Sequence, residues 1–282
     1  MPIRFEYAQV HMGVRTVITG YAPDPATADK AAAAAYARFA QLDAIMSDYR
    51  KDSELMLLDT SLKPISTDLR AVLERALEVA RLSDGAFDFT AGPLVQLWRE
   101  ARKTRRLPDA AKLDQAKETV GWKLVELTPE GAKLAKEGMR LDLGGIAKGY
   151  ACDQALIALA QNGVDRALVE AGGDMAASGA PPGKIGWKVE VRNLRDRVFW
   201  LRNGALSTSG DSEQHVDIAG KRYSHILDPR TGFGLTTRRQ VTVLAEDGLT
   251  SDPLATALSV LGPAKAQDLV GYYQADAHFV QD

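Results

Sequence analysis

The chain has 282 residues, 45% of them hydrophobic, enough to bury a substantial core as one large domain or two lobes. Lys and Arg number 35 against 37 Asp and Glu, a net charge of −2, which excludes a global attraction to nucleic acid or to an anionic membrane. A single cysteine, Cys152, excludes an intrachain disulfide and a cysteine-based metal cluster, and its place in a predicted helix points to the core.

The opening MPIRFEYAQV lacks the basic start, apolar stretch and small-residue cleavage site of a secretory signal, and no run approaches the ~18 apolar residues of a membrane helix. These residues describe either a cytoplasmic protein or a mature form written without its leader. Residues 4–11 and 14–21 read as strands separated by a turn at Met12-Gly13. From residue 24 to about 46 the pattern turns helical, with Ala35, Phe39, Leu42 and Met46 on one face. A second helix is predicted from Ser66 or Thr67 to Ser83, burying Leu69, Val72, Leu73, Ala76 and Leu77 and stopping near Gly85. The stretch GAFDFTAGPLVQLW at 85–98 opens as a glycine-rich loop and turns helical after Pro93. Residues 99–120 are charged and helix-prone, and the basic run at 99–106 reads as a solvated surface.

Short strands are predicted within 122–143 about a turn at 129–131, followed by a helix at 146–162 that ends in Asn162-Gly163. A buried strand at 167–169 precedes AGGD. Strands follow at 187–192, 198–201, 205–208, 214–218 and 241–245, then two short helices near 253–261 and 263–271 and a last strand at 277–280. No repeat of 20–50 residues is visible. Strand runs with helix pairs indicate an α+β fold rather than a regular βαβ alternation.

Four segments carry candidate chemistry. In LDLGGIAKGYACD at 141–153, a short apolar strand ending at Asp142 empties into Gly144-Gly145 and restarts as a helix at Ile146, Ala147 and Lys148, presenting free backbone N–H groups of the kind that hold phosphate. The spacing is neither a Walker loop nor GxGxxG, so a tight strand-to-helix connection explains it equally. In SDPLATAL at 251–258, Asp252 and Thr256 lie one turn apart and could face a hard cation such as Mg²⁺. The competing reading makes Asp252 an N-cap with Pro253 at the first helical position. In RYSHILDPRTG at 222–232, His225 lies between a strand and a turn, near Ser224, Asp228 and Arg230, as either an acid–base group or a structural residue. The stretch STSGD at 207–211 offers hydroxyls at a turn.

Together with Met12-Gly13 and MSDYRKDSEL at 46–55, these segments follow one another as they do in the ApbE-type FAD:protein FMN transferase family, which the chain resembles over nearly its whole length. The resemblance implies a single α+β domain over 1–282, two-lobed, with mixed or antiparallel sheets, packed helices and a ligand site between the lobes. It implies an Mg²⁺-dependent enzyme that takes FAD as substrate and moves its FMN half to a Thr or Ser hydroxyl of an acceptor flavoprotein, releasing AMP. Carried over by position, the flavin and adenine contacts involve Met12, Tyr49, Ala86, Phe87, Asp88, Asp142, Lys148 and Ile226. Magnesium is held by Asp252 and Thr256 with backbone oxygens of Gly145 and Ala255, and His225 acts on the incoming hydroxyl.

The chain departs from the family pattern at Gly144, where serine is frequent, and at Ser251 and Pro253, where alanines are usual. Glu170 stands before AGG where an apolar residue is common, and REARKTRR follows Trp98 in place of a glycine-aromatic continuation. With water as acceptor the same site is an FAD pyrophosphatase, and without chemistry it is an FAD-binding protein. The resemblance favours the periplasm or cell surface, with any membrane association indirect, through the acceptor or a missing leader.

Overall fold

The structure, a computed structural model, describes residues 1–194, 197–210 and 215–281. Alternation in the first two segments builds a hairpin, β1 (Ile3–His11) and β2 (Val14–Ala22), closed by Met12 and Gly13 at φ 49° and 75°. Two positive φ values in a two-residue loop match the right-handed twist of the strands, so Met12 is held left-handed by the turn itself. Helix α1 (Pro25–Met46) starts where Asp24 accepts the Thr27 N–H at 2.9 Å, with Pro25 at its first position. Helix α2 (Thr67–Leu82) is capped by Ser66 and buries Leu69, Val72, Leu73 and Ala76 as the spacing predicts, whereas Leu77 is half-buried at the edge of the face.

Helices α3 (Gly92–Thr104) and α4 (Ala110–Lys117) precede the hairpin β3 (Val125–Thr128) and β4 (Gly131–Leu134). Residues 141–143, expected to be a strand, are extended coil: Arg140 makes one isolated bridge with Ala91, and the Asp142 N–H donates to the Phe89 carbonyl at 2.7 Å. The segment runs along the 88–92 loop instead of entering a sheet, and a Cβ at Gly92 would lie 2.5 Å from the Arg140 carbonyl.

Beyond α5 (Ala147–Gln161) come β5 (Ala167–Ala171), β6 (Asp174–Ala177), β7 (Trp187–Glu190), β8 (Val198–Leu201) and β9 (Gly204–Gly210). The chain continues through β10 (His215–Ile218), β11 (Lys221–Ser224), β12 (Leu227–Asp228), β13 (Phe233–Gly234) and β14 (Arg239–Ala245). It closes with α6 (Gly248–Leu261), α7 (Gln267–Tyr272) and β15 (Asp276–Gln281). Gln214 and the Asp211 of STSGD lie outside the described residues.

A seven-stranded sheet runs in the order β1-β2-β5-β6-β9-β14-β15, and every described strand pair is antiparallel. Alternation assigns its two faces. Ile18, Val169, Ala205, Val241 and Val243 point to the main core beneath the helices, while Tyr21, Leu168, Leu206 and Leu244 pack under the β7–β8 hairpin. A separate, smaller core joins Leu94 and Trp98 of α3 and Leu113 of α4 to Val216, Tyr223 and Leu227.

The predicted helix start at 253 is corrected: α6 begins at Gly248, capped by Asp247, and carries Pro253 inside it. Asp247 accepts the Thr250 N–H at 2.8 Å, and Asp153 of α5 accepts from the Gly248 and Leu249 N–H groups, both at 2.9 Å. With the N-terminal donors satisfied one turn upstream, Asp252 is no cap and its carboxylate turns inward. Gly149 and Gly248 make this possible, since a Cβ on Gly149 would lie 2.1 Å from the Gly248 carbonyl. Gly149→Ala is therefore expected to lower stability by about 1–3 kcal/mol through overpacking and to push α6 off α5. A melting temperature equal to that of the unsubstituted protein would show that the helices yield at no expense.

Candidate functional site

The inward face of α6 meets the first turn of α5 and the start of β6. Asp252 and Asp174 are 5% and 4% exposed, and the Lys148 ammonium lies between them, 2.8 Å from Asp174 Oδ2 and 3.6 Å from Asp252 Oδ2. Lys148 Nζ also donates to the Gly144 carbonyl at 3.0 Å. Burial opposes the ammonium charge, but the two carboxylates outweigh it and hold Lys148 protonated above its ordinary range. Burial, then the like charge of Asp174, pushes the Asp252 carboxyl upward.

Gly149 donates its N–H to Asp252 Oδ2 at 3.1 Å. In a regular first turn that N–H would satisfy the carbonyl of Gly145, and no described backbone N–H takes its place. Asp252 Oδ1 and the Thr256 hydroxyl likewise make no hydrogen bond among the described residues. A Cβ on Gly145 would stand 2.9 Å from Thr256 Oγ1 and 3.5 Å from Phe87, so glycine keeps this corner open. The result is a carboxylate oxygen, a hydroxyl and a carbonyl, all oxygen and all uncommitted, which is the donor chemistry of a hard cation. The other expected backbone oxygen, Ala255, already accepts from the Ser259 hydroxyl at 2.9 Å. Among the described residues no three His, Cys, Asp or Glu side chains form a metal cluster, so a cation here would need oxygens from its ligand or from water.

A second group adjoins the first through Gly144. Asp142 Oδ1 accepts the Gly144 N–H at 2.8 Å, and its Oδ2 faces Arg99 at 3.4 Å. Arg99 also pairs with Asp48 at 2.5 Å and lies over the Tyr49 ring, 4.3 Å from its centroid. The basic run read as solvated surface is corrected at this residue. Trp98 must face inward to donate to the Gly232 carbonyl at 2.8 Å, and that register turns Arg99 toward Asp48 and Asp142, linking the smaller core to the main one. Tyr49 is 76% exposed, a flat ring at the mouth.

The 83–90 loop is preorganised by its own polar groups. Ser83 Oγ accepts the Phe87 N–H at 3.1 Å, and Asp88 accepts from the Thr90 N–H at 2.9 Å and the Trp122 N–H at 3.0 Å. The Asp88 carboxylate is thus taken up in the loop, beside buried Ala86 and Phe87. Met12 sits at the β1–β2 turn against the main core. Ile226 is buried and donates its N–H to Ser224 Oγ at 3.0 Å, whereas neighbouring His225 is exposed. Asp228 is committed to Arg230 at 2.8 and 2.9 Å, so it serves the turn.

Two residues of these groups escaped sequence reasoning as site members. Asp174, the last letter of AGGD, was visible as a motif without a role; Arg99 was hidden in a run of like charges.

The electrostatics predict a pH dependence. Burial raises Asp153 to about 7, and it raises Asp142 and Asp252 as well. Between the ordinary carboxylate range and neutrality the folded chain therefore binds protons that the unfolded chain releases, so these groups favour folding in acid and lose that contribution as pH rises through about 7. Asp24 and Asp59 are shifted the other way, with an effect below this window, and burial lowers His11, which opposes the trend in part near pH 6. Without divalent cations the protein is expected to be less stable at pH 8 than at pH 6, by on the order of 2–4 kcal/mol. Denaturant unfolding in EDTA at the two pH values checks it; equal stability would contradict it.

The family model described as the ApbE family matches residues 12–279. The FAD:protein FMN transferase of Salmonella typhimurium is 32% identical over 250 residues, spanning 82% of this chain and 71% of the relative. That of Vibrio cholerae is 35% identical over 234 residues, spanning 77% and 69%. The apo crystal structure of the Pseudomonas stutzeri flavinyl transferase ApbE superposes with a TM-score of 0.88 at 29% identity, covering 100% of this chain and 92% of that one.

Proposed function

Because the chain belongs to the ApbE family, we propose that it is an FAD:protein FMN transferase that moves FMN from FAD to a Thr or Ser hydroxyl of an acceptor flavoprotein, with Mg²⁺ as cofactor. The observation that carries the reading is the open oxygen set of Asp252, Thr256 and Gly145 at the N-terminal end of α5. These oxygens and the excess negative charge beside them suit Mg²⁺, and Asp252 and Thr256 are the side chains that would hold it. When bound, the ion would neutralise charge on the pyrophosphate of FAD.

The protein's own groups would do the rest. Lys148 would bind phosphate oxygens, while Tyr49 supplies flat apolar surface for a ring of FAD, with Phe87 packed behind the site. Asp142, oriented by Gly144 and Arg99, would accept from a flavin or ribose donor. In the transfer, the acceptor oxygen bonds to the FMN-side phosphorus, the bond from that phosphorus to the bridging oxygen breaks, and AMP leaves with that oxygen. His225 takes the proton of the acceptor hydroxyl. An exported location at the periplasm or cell surface is part of this reading and rests on the resemblance. Among the described residues no helix is long and apolar enough to cross a membrane.

Incubation of the protein with FAD, Mg²⁺ and candidate acceptors, followed by product analysis, tests the proposal. AMP together with an acceptor whose mass has risen by one FMN supports it. AMP with only free FMN assigns a pyrophosphatase, and no AMP leaves a binding protein.

A further inference from the structure

The Lys148 ammonium could pair with either of two buried carboxylates, yet it sits 2.8 Å from one and 3.6 Å from the other. The nearer, Asp174, is fixed by the sheet as the first residue of β6, in register with Ala171 on one side and Ser207 on the other. The Gly144 carbonyl holds the ammonium from a second direction at 3.0 Å. With all three groups ionised the pocket carries one excess negative charge. Remove Asp174 and the excess vanishes, leaving Lys148 and Asp252 as a neutral pair.

We propose that Asp174 is a positioning residue: it anchors the Lys148 ammonium off Asp252 and thereby keeps the Asp252 carboxylate available to a divalent cation. The inference rests on the metal reading above. Without Asp174, only the neutral Gly144 carbonyl competes with Asp252 for the ammonium, and a buried ion pair forms where the cation should bind. Lys148 then acts as an internal competitor of the metal. Its position in the first turn of α5, next to Gly149 whose N–H meets Asp252, gives it the reach.

The role predicts a coupling between two residues and not merely a loss at one. Mn²⁺ as probe, titrated into the protein alone and followed by the electron paramagnetic resonance signal of the free ion, measures affinity without turnover. Asp174→Asn is expected to weaken Mn²⁺ roughly tenfold or more in the otherwise unsubstituted protein, but only about threefold or less when Lys148 is already Met. If Asp174→Asn does not fold alone, the Lys148→Met protein with and without Asp174→Asn still decides the matter. A loss of tenfold or more there would make Asp174 a ligand or a purely structural group and overturn the proposal, as would unchanged affinity in the single variant. Failure of the unsubstituted protein to bind Mn²⁺ saturably would instead overturn the metal reading, and this inference with it.

Discussion

Asp252→Ala is expected to reduce AMP release from FAD by about 10³-fold or more at saturating FAD while the fold survives. The magnitude follows from removing the only carboxylate of the proposed oxygen set, which forfeits several kcal/mol of charge neutralisation in the transition state. Stability should move little in the absence of metal, because losing the acceptor of the Gly149 N–H is offset by removing a buried carboxylate crowded by Asp174, and the α6 cap at Asp247 is untouched. The geometry therefore separates two roles that sequence leaves entangled. An N-cap Asp lost to Ala would destabilise by about 0.5–2 kcal/mol and spare turnover. Steady-state AMP release across a Mg²⁺ series, with melting temperature alongside, distinguishes them; full turnover with lowered stability would return Asp252 to a structural role.

His225→Ala should retain FAD and Mn²⁺ binding and lose about 10²–10⁴-fold in transfer, the usual worth of a positioned general base. Its exposure at the end of β11 suits a group that must meet a second protein's hydroxyl. Single-turnover flavinylation at saturating FAD, Mg²⁺ and acceptor is the deciding measurement. Transfer at the unsubstituted rate would end the assignment.

Local patterns announced most of the elements. Asp24-Pro25 and Ser66-Thr67 were readable as helix starts because caps act within one turn, and the periodicity through Phe39, Leu42 and Met46 is a property of the helix alone. The failures came where distant contacts decide. Residues 141–143 look like a strand, but Gly92 brings another loop against them. Ser251-Asp252-Pro253 looks like a helix start, but Asp153, far upstream, satisfies the true one. The same division runs through the site. Asp252 and Thr256 were legible as one face of a helix, whereas Arg99 needed the register imposed by Trp98, and Asp174 needed the sheet to bring it beneath Lys148.

The strand order of the large sheet also governs when the site can exist. Gly149 and Asp252, which share a hydrogen bond, stand 103 positions apart, and Trp98 and Gly232 stand 134 apart. The first pair closes only once α6, which follows β14 in the chain, has packed against α5. Such long closures must lose their chain entropy before any contact rewards them, which places the fold among slow, non-local ones. Refolding from denaturant should accordingly regain α1 and α2 well before metal affinity, with the ligand pocket the last part of the molecule to mature.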